Sequence, residues 1–191
     1  MSEILYKYRT IDNLKNFIDI ILNNRLYAAN YQTMNDPMEG HYLYDNNVLN
    51  QEMRNMIYDG KMSLNFCSLS KKDDNFLMWS HYANGHRGVA IGVKIDRNQN
   101  NVREVNYLKE LTNINILDEN TSRNILSQKL DLWHYEEEVR VFSTDNYIDV
   151  QIEKVIIGKK MNTEDKDFIT KLIKKINPDI EICSQNTEDG R

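Results

Sequence analysis

Residues 88–95 read Gly-Val-Ala-Ile-Gly-Val-Lys-Ile, so that Val89, Ile91, Val93 and Ile95 alternate with Ala90, Gly92 and Lys94. A period of two puts all four branched side chains on one face of an extended chain, whereas a helix would scatter them around its circumference. This is the clearest strand in the sequence, and the other elements are read outward from it.

Upstream, Leu5–Arg9 (LYKYR) is short, aromatic and alternating. Thr10 is placed to cap a helix with Ile11, Leu14, Phe17, Ile18, Ile21 and Leu22 on one face, ended by Asn23 and Asn24. Residues 25–30 read as a second strand. Residues 31–45 are irregular, with Pro37 and Gly40 as breakers. A helix is expected over 48–58, stopped by Asp59-Gly60, then a strand over 62–70 and a short helix capped by Asn75. Beyond the central strand come strands at 102–107, 139–143 and 150–157 and a helix at 122–132. A final helix begins at Asn162-Thr163, buries Phe168, Ile169, Leu172, Ile173 and Ile176, and stops before Pro178; a last strand covers 180–184. Strands outnumber helices, and several neighbouring strands have no helix between them. The expectation is an α+β fold, a mixed and mostly antiparallel sheet with packed helices, in one domain over residues 1–185 with a frayed tail at 186–191.

Composition narrows the functional classes. The 191 residues are 40% hydrophobic and 28% charged, with a formal net charge of -5. That balance argues for a globular chain and against one held mainly by a nucleic-acid backbone, which requires a basic field. Without an apolar run of about 18 residues or a signal-like start, a soluble, cytoplasmic protein is expected. Cys67 and Cys183 are then expected as reduced thiols.

The stretch LWHYEEEVRVF (residues 132–142) carries the most chemistry. On a strand, Val139 and Val141 share a face with Glu137, while Glu136, Glu138, Arg140 and Phe142 share the other, spaced about 7 Å apart. One reading is a solvated sheet face whose cross-strand ion pairs contribute ~0.2–1 kcal/mol each. The other is a carboxylate pair in a cleft, one acid stabilising developing positive charge and the second positioning a nucleophile. Elsewhere, Cys67 reads as a buried small hydrophobe or as a nucleophile paired with His81, and Ser68 and Ser70 as ligand-binding or strand-ending hydroxyls. Neither H-E-x-x-H nor C-x-x-C is present, and no metal site is assigned. Arg9 and Arg87 are the basic residues best aimed at a ligand phosphate, with surface charge as the plain alternative. Trp79 with Tyr82, and Trp133 with Tyr135, form aromatic clusters suited to core packing or to a cleft wall.

Four segments in order, LYKYR, MNDPMEG (34–40), FCSLS through FLMWSHYANGHRGVAIGV (66–93) and WHYEEEVRVF (133–142), resemble a bacterial family of unknown function, DUF2971. More distantly, an early strand with a basic residue, a middle strand ending in serines and a late strand with E-x-E are similar to the ADP-ribosyltransferases. That resemblance implies NAD as substrate, Glu138 as the ribose-contacting catalytic acid and Glu136 as the acceptor-positioning acid. It also implies Arg9 and Ser68 or Ser70 as nucleotide-binding residues, in a toxin or phage-defence effector acting on a macromolecular acceptor; Trp79 and Tyr82 as a cleft wall, and Arg140 beside the two glutamates, join them as nucleotide-binding candidates from the residues alone. Two other classes stand beside it. One is a non-catalytic nucleotide- or protein-binding module; the other is a metal-dependent nuclease or hydrolase using Asp36, Glu39 and Glu136.

Overall fold

The alternating segment is a strand, Val89–Lys94, with both faces buried. A computed structural model describes residues 3–186 of the chain. In chain order the elements are β1 (Leu5–Arg9), α1 (Leu14–Asn23), β2 (Arg25–Tyr27), β3 (Ala29–Asn30), α2 (Gln51–Met62), β4 (Asn65–Ser70), α3 (Phe76–Tyr82) and β5 (Val89–Lys94). There follow β6 (Asn101–Glu104), β7 (Asn106–Leu108), α4 (Thr121–Ile125), β8 (Gln128–Leu130), β9 (Glu138–Ser143), β10 (Tyr147–Asp149), β11 (Gln151–Ile157), α5 (Thr163–Ile176) and β12 (Glu181–Ser184). The fold class is α+β, with mixed, mostly antiparallel strand pairing and packed helices, as expected. The tail expected to fray lies, from residue 187 on, outside the described residues.

The chain forms two compact units. The first gathers Met1–Leu26, Leu69–Gln99 and Asp149–Arg191. Its strands run in the order β12, β11, β5, β1. β5 is antiparallel to both neighbours, with Leu5 opposite Val93 and Val155 opposite Ile91; β12 joins β11 in parallel. Phe17, Ile20 and Ile21 of α1 and Ile169 and Ile173 of α5 are buried, as are Val89, Ile91 and Val155 of the sheet. The helical stripes and the strand alternation therefore describe one apolar interior.

The second unit gathers Tyr27–Ser68 and Asn100–Ile148. Here β3 pairs with β4, β9 lies beside β4, and β6 closes on β9, all antiparallel where the register is resolved, while β7 and β8 form a small parallel pair. One core cluster joins Leu49, Ile57, Ile114 and Ile125; another joins Leu64, Phe66, Leu126 and Phe142.

Several local expectations are corrected. The helix expected at 122–132 is only α4, followed by β8 and a 3-10 helix over Asp131–Glu136. Pairing of Gln128 with Asn106 and Leu130 with Leu108 overrides helical propensity there. Helix α2 starts at Gln51, capped by Asn50, and runs through Gly60 to Met62. Gly60 is a packing residue, because a Cβ there would collide with the Ser122 side chain. Asn13, not Thr10, caps α1, accepting from the Asn16 N–H at 3.2 Å. The strand expected at 25–30 is interrupted at Ala28, whose N–H donates to the Asn146 carbonyl.

Candidate functional site: a buried chain of charges

Two tight turns in the second unit bring acids to one arginine. In the Asn-Asp-Pro-Met-Glu-Gly loop, the Asp36 carboxylate accepts from the Met38 N–H at 2.9 Å, and the Asp36 carbonyl accepts from Glu39 at 3.0 Å. This Asx-type turn holds Glu39 inward. Gly40 follows at φ +73°, and its carbonyl is fastened by the Lys61 ammonium at 2.7 Å. The second turn is at Glu137, at φ 42°, which closes the 3-10 helix by donating to the His134 carbonyl. This left-handed residue takes Glu136 out of the strand, and β9 begins at Glu138.

The side chains meet in a row. Glu39 takes Arg140 through two parallel bonds, 2.6 Å to Nη1 and 2.7 Å to Nη2. Arg140 Nε reaches Glu138 Oε1 at 2.7 Å, Nη2 reaches Glu138 Oε2 at 3.2 Å, and Nη1 donates to the Leu126 carbonyl at 2.7 Å. These five bonds use all five guanidinium donors. The Arg140 guanidinium also lies over the Phe66 ring, 4.4 Å from its centroid. Lys129 Nζ then bridges Glu138 Oε2 at 3.2 Å and Glu136 Oε2 at 2.5 Å, over the Trp133 ring. Signs alternate along the row: Glu39, Arg140, Glu138, Lys129, Glu136.

Burial rules out the solvated-face reading. Glu136 and Glu138 are each 4% exposed and Arg140 is 1% exposed, while Val139 and Val141 on the other face are buried as well. Charges withdrawn from water in this way persist only when paired and hydrogen-bonded. Burial alone would raise the Glu138 pKa. The charges of Arg140 and Lys129, then hydrogen bonds from Arg140 and the Ser68 hydroxyl, overcome it and hold the carboxyl at about 2. Glu39 goes the other way, because burial lifts it more than the shared Arg140 lowers it. Burial depresses Lys129, but Glu138 and Glu136 together raise it above the ordinary lysine range. Two carboxylates on one guanidinium are thus pushed in opposite directions, a pattern found where acid and base roles divide.

Glu136, Glu138, Arg140 and Ser68 are brought together, Glu136 through Lys129 and not through strand alternation. Arg9, Ser70, Trp79 and Tyr82 belong to the first unit. Arg9 ends β1 opposite Val89. Ser70 is buried, its hydroxyl accepting from the Lys72 N–H. Trp79 is fully buried against the edge of Tyr8 and donates from Nε1 to the Asp73 carbonyl at 2.8 Å; Tyr82 packs edgewise on His81. Cys67 is free and buried. The donor set of the metal-dependent reading does not assemble: both Glu39 oxygens are on Arg140, one Glu136 oxygen is on Lys129, and among the described residues no group of three or more His, Cys, Asp or Glu is disposed to hold a metal.

Lys129 and Tyr107 are the participants that sequence reasoning missed. Tyr107 accepts the Glu138 N–H on its hydroxyl at 2.8 Å. Lys129 also lines a small recess with Asp36, His41, Glu110 and Gln128. Neither carries a motif; the one available signal for Lys129 is that two close glutamates call for a cation.

Among the described residues, no helix is long and apolar enough to cross a membrane. No curated protein and no solved structure matches the chain. A family model described as "Protein of unknown function (DUF2971)" matches residues 78–141, a stretch holding Lys129, Glu136, Glu138 and Arg140. The match takes in the W-x-x-E-x-E-x-R strand and covers about a third of the chain, over which the chain is similar to DUF2971, in line with the resemblance of its motifs.

Proposed function

We propose that the chain is an NAD-using ADP-ribosyltransferase-like enzyme with its reaction centre at Glu136 and Glu138. The supporting observation is that both carboxylates converge on a single positive charge, the Lys129 ammonium, at 2.5 and 3.2 Å. Breaking the bond between nicotinamide and ribose sends its electron pair away with nicotinamide and leaves positive charge on the ribose. An anion already fixed beside that charge stabilises it without reorganisation. Glu138, ionised down to about pH 2 and steadied by Ser68, has that character. Glu136, at the end of the 3-10 helix, positions the acceptor, whose nucleophile adds to the ribose carbon and gives its proton to that carboxylate. Lys129 holds the place of the cation at rest.

The test is nicotinamide release from NAD by the full chain. Wild type is expected to release nicotinamide, and Glu138→Gln to lose about 100-fold or more of that rate. Near-UV circular dichroism separates lost chemistry from lost fold. Ser68→Ala, which removes one hydrogen bond and keeps the ion pairs, provides a second variant expected to fold and to slow. A folded wild type that releases no nicotinamide, or a Glu138→Gln variant at the wild-type rate, overturns the proposal.

A further inference from the structure

In the first unit His86 is 1% exposed, with the Phe76 ring 4.7 Å from its own and the Trp79 indole nearly parallel to it at 6.2 Å. Its backbone sits at φ 70°, a conformation that residues other than glycine seldom adopt. The turn is fixed on both sides. His86 N–H donates to the Trp79 carbonyl at 3.1 Å and its carbonyl accepts from Lys160 N–H at 2.9 Å, while a Cβ on Gly158 would lie 2.3 Å from that carbonyl oxygen. Non-glycine residues persist in the left-handed region where their surroundings over-determine them, and active sites concentrate such positions.

Both ring nitrogens are engaged, and their partners fix which one carries the proton. Nδ1 lies 3.1 Å from Gln185 Oε1, and Nε2 lies 3.4 Å from Ser80 Oγ. A second contact orients the Gln185 amide, because Lys159 N–H donates to the same Oε1 at 3.1 Å and a backbone donor requires an oxygen there. An oxygen facing Nδ1 calls for a proton on Nδ1. Neutral His86 therefore presents the lone pair of Nε2 to the Ser80 hydroxyl, the tautomer that a general base needs. The 3.4 Å spacing is within the looser range that nucleophile and base show before substrate binds.

We propose that Ser80, His86 and Gln185 form an acyl-transfer triad that hydrolyses esters of small apolar acids. A hydroxyl nucleophile, an imidazole base and an oxygen that holds the imidazole are the three roles of such a triad, and an amide oxygen fills the third in some of its variants. Ser80 is only half-buried. Phe76, 62% exposed and one helical turn before Ser80 on the same face of α3, supplies an apolar wall for the acyl group. Ser80 Oγ adds to the ester carbonyl carbon as its proton passes to His86 Nε2; the carbon–oxygen bond to the alcohol breaks, and the alcohol leaves with that proton. Water then adds to the acyl-serine and gives its proton to Nε2, which returns it to Ser80 Oγ as the acid departs. The triad stands apart from the NAD reading, whose Glu136, Glu138 and Lys129 belong to the second unit.

Treating the full chain with an alkyl fluorophosphonate, which bonds to an activated serine with loss of fluoride, and locating the label by peptide mass spectrometry tests it. Wild type is expected to carry the label on Ser80, and Ser80→Ala to carry none there while its near-UV circular dichroism is unchanged. Gln185→Leu removes the oxygen that sets the tautomer and is expected to slow labelling by about 100-fold or more, whereas Gln185→Glu keeps an oxygen and restores most of the rate. p-Nitrophenyl butyrate is expected to be hydrolysed by wild type and not by Ser80→Ala, with KM raised and kcat little changed in Phe76→Ala. Wild type unlabelled at Ser80, Ser80→Ala hydrolysing at the wild-type rate, or a folded Gln185→Leu labelled at the wild-type rate overturns the triad. An unchanged KM in Phe76→Ala overturns the apolar acyl group.

Discussion

Replacing Glu138 by Gln removes the central negative charge of the row and leaves Arg140 and Lys129 facing each other across a neutral amide. The size of the effect follows from the carboxyl itself. Its pKa falls from the usual 4.5 to about 2 on folding, a difference of roughly 2.5 units, which at 1.36 kcal/mol per unit is about 3 kcal/mol of stabilisation at neutral pH. With the group fully buried, solvent screening takes little from that figure, and it agrees with the ~3–5 kcal/mol seen when one member of a buried pair is removed. The sign fixes the pH window. A folded pKa below the unfolded one means that the contribution is complete above about pH 4.5 and is lost as pH falls toward 2. Urea unfolding of wild type and Glu138→Gln at steps from pH 7 to pH 2 should therefore show a gap of about 3 kcal/mol at pH 7 that narrows below about pH 4.5. A gap that stays constant across the range, or that is under about 1 kcal/mol at pH 7, would refute the reasoning, since an exposed pair contributes no more than that.

Glu39→Gln should cost less than Glu138→Gln at pH 7, because the raised pKa of Glu39 means its ionised form is penalised by burial; stability linked to it is greatest below about 4.5 and falls as pH rises, opposite to Glu138. Equal losses in the same urea series would contradict this. Gly60→Ala, which ordinarily gains up to about 1 kcal/mol inside a helix, should instead destabilise through collision with Ser122, and Ser122→Ala should restore much of the loss in thermal melts. Tyr107→Phe leaves the Glu138 N–H without its acceptor and should cost about 1–3 kcal/mol; a loss near zero would show that another acceptor takes over.

The sequence made the strands and the long amphipathic helices legible because local periodicity and burial coincide there. Val89 to Val93 and Ile169 with Ile173 are such cases, and the terminal helix is confirmed with its Asn162 cap. Residues 122–132 were not legible in this way, since a parallel bridge to β7 decides their conformation and a distant partner leaves no mark on local pattern. The site divides along the same line. The positions of Glu138, Arg140 and the two valines followed from a period of two. The burial of the charged face depended on Glu39, 101 residues away from Arg140, and on Lys129, which no spacing rule connects to the E-x-E pair. Glu137 shows a further limit: its left-handed backbone separates Glu136 from the strand, so the two acids meet through Lys129 and not through strand alternation.

The row of alternating charges is tested most directly by carboxyl carbon NMR of the glutamates through an acid titration, with the Glu138 resonance assigned by its absence in Glu138→Gln. The account predicts that this carboxylate stays ionised until about pH 2, well below the ordinary carboxylate range. A Glu138 resonance that titrates within or above that range would contradict it.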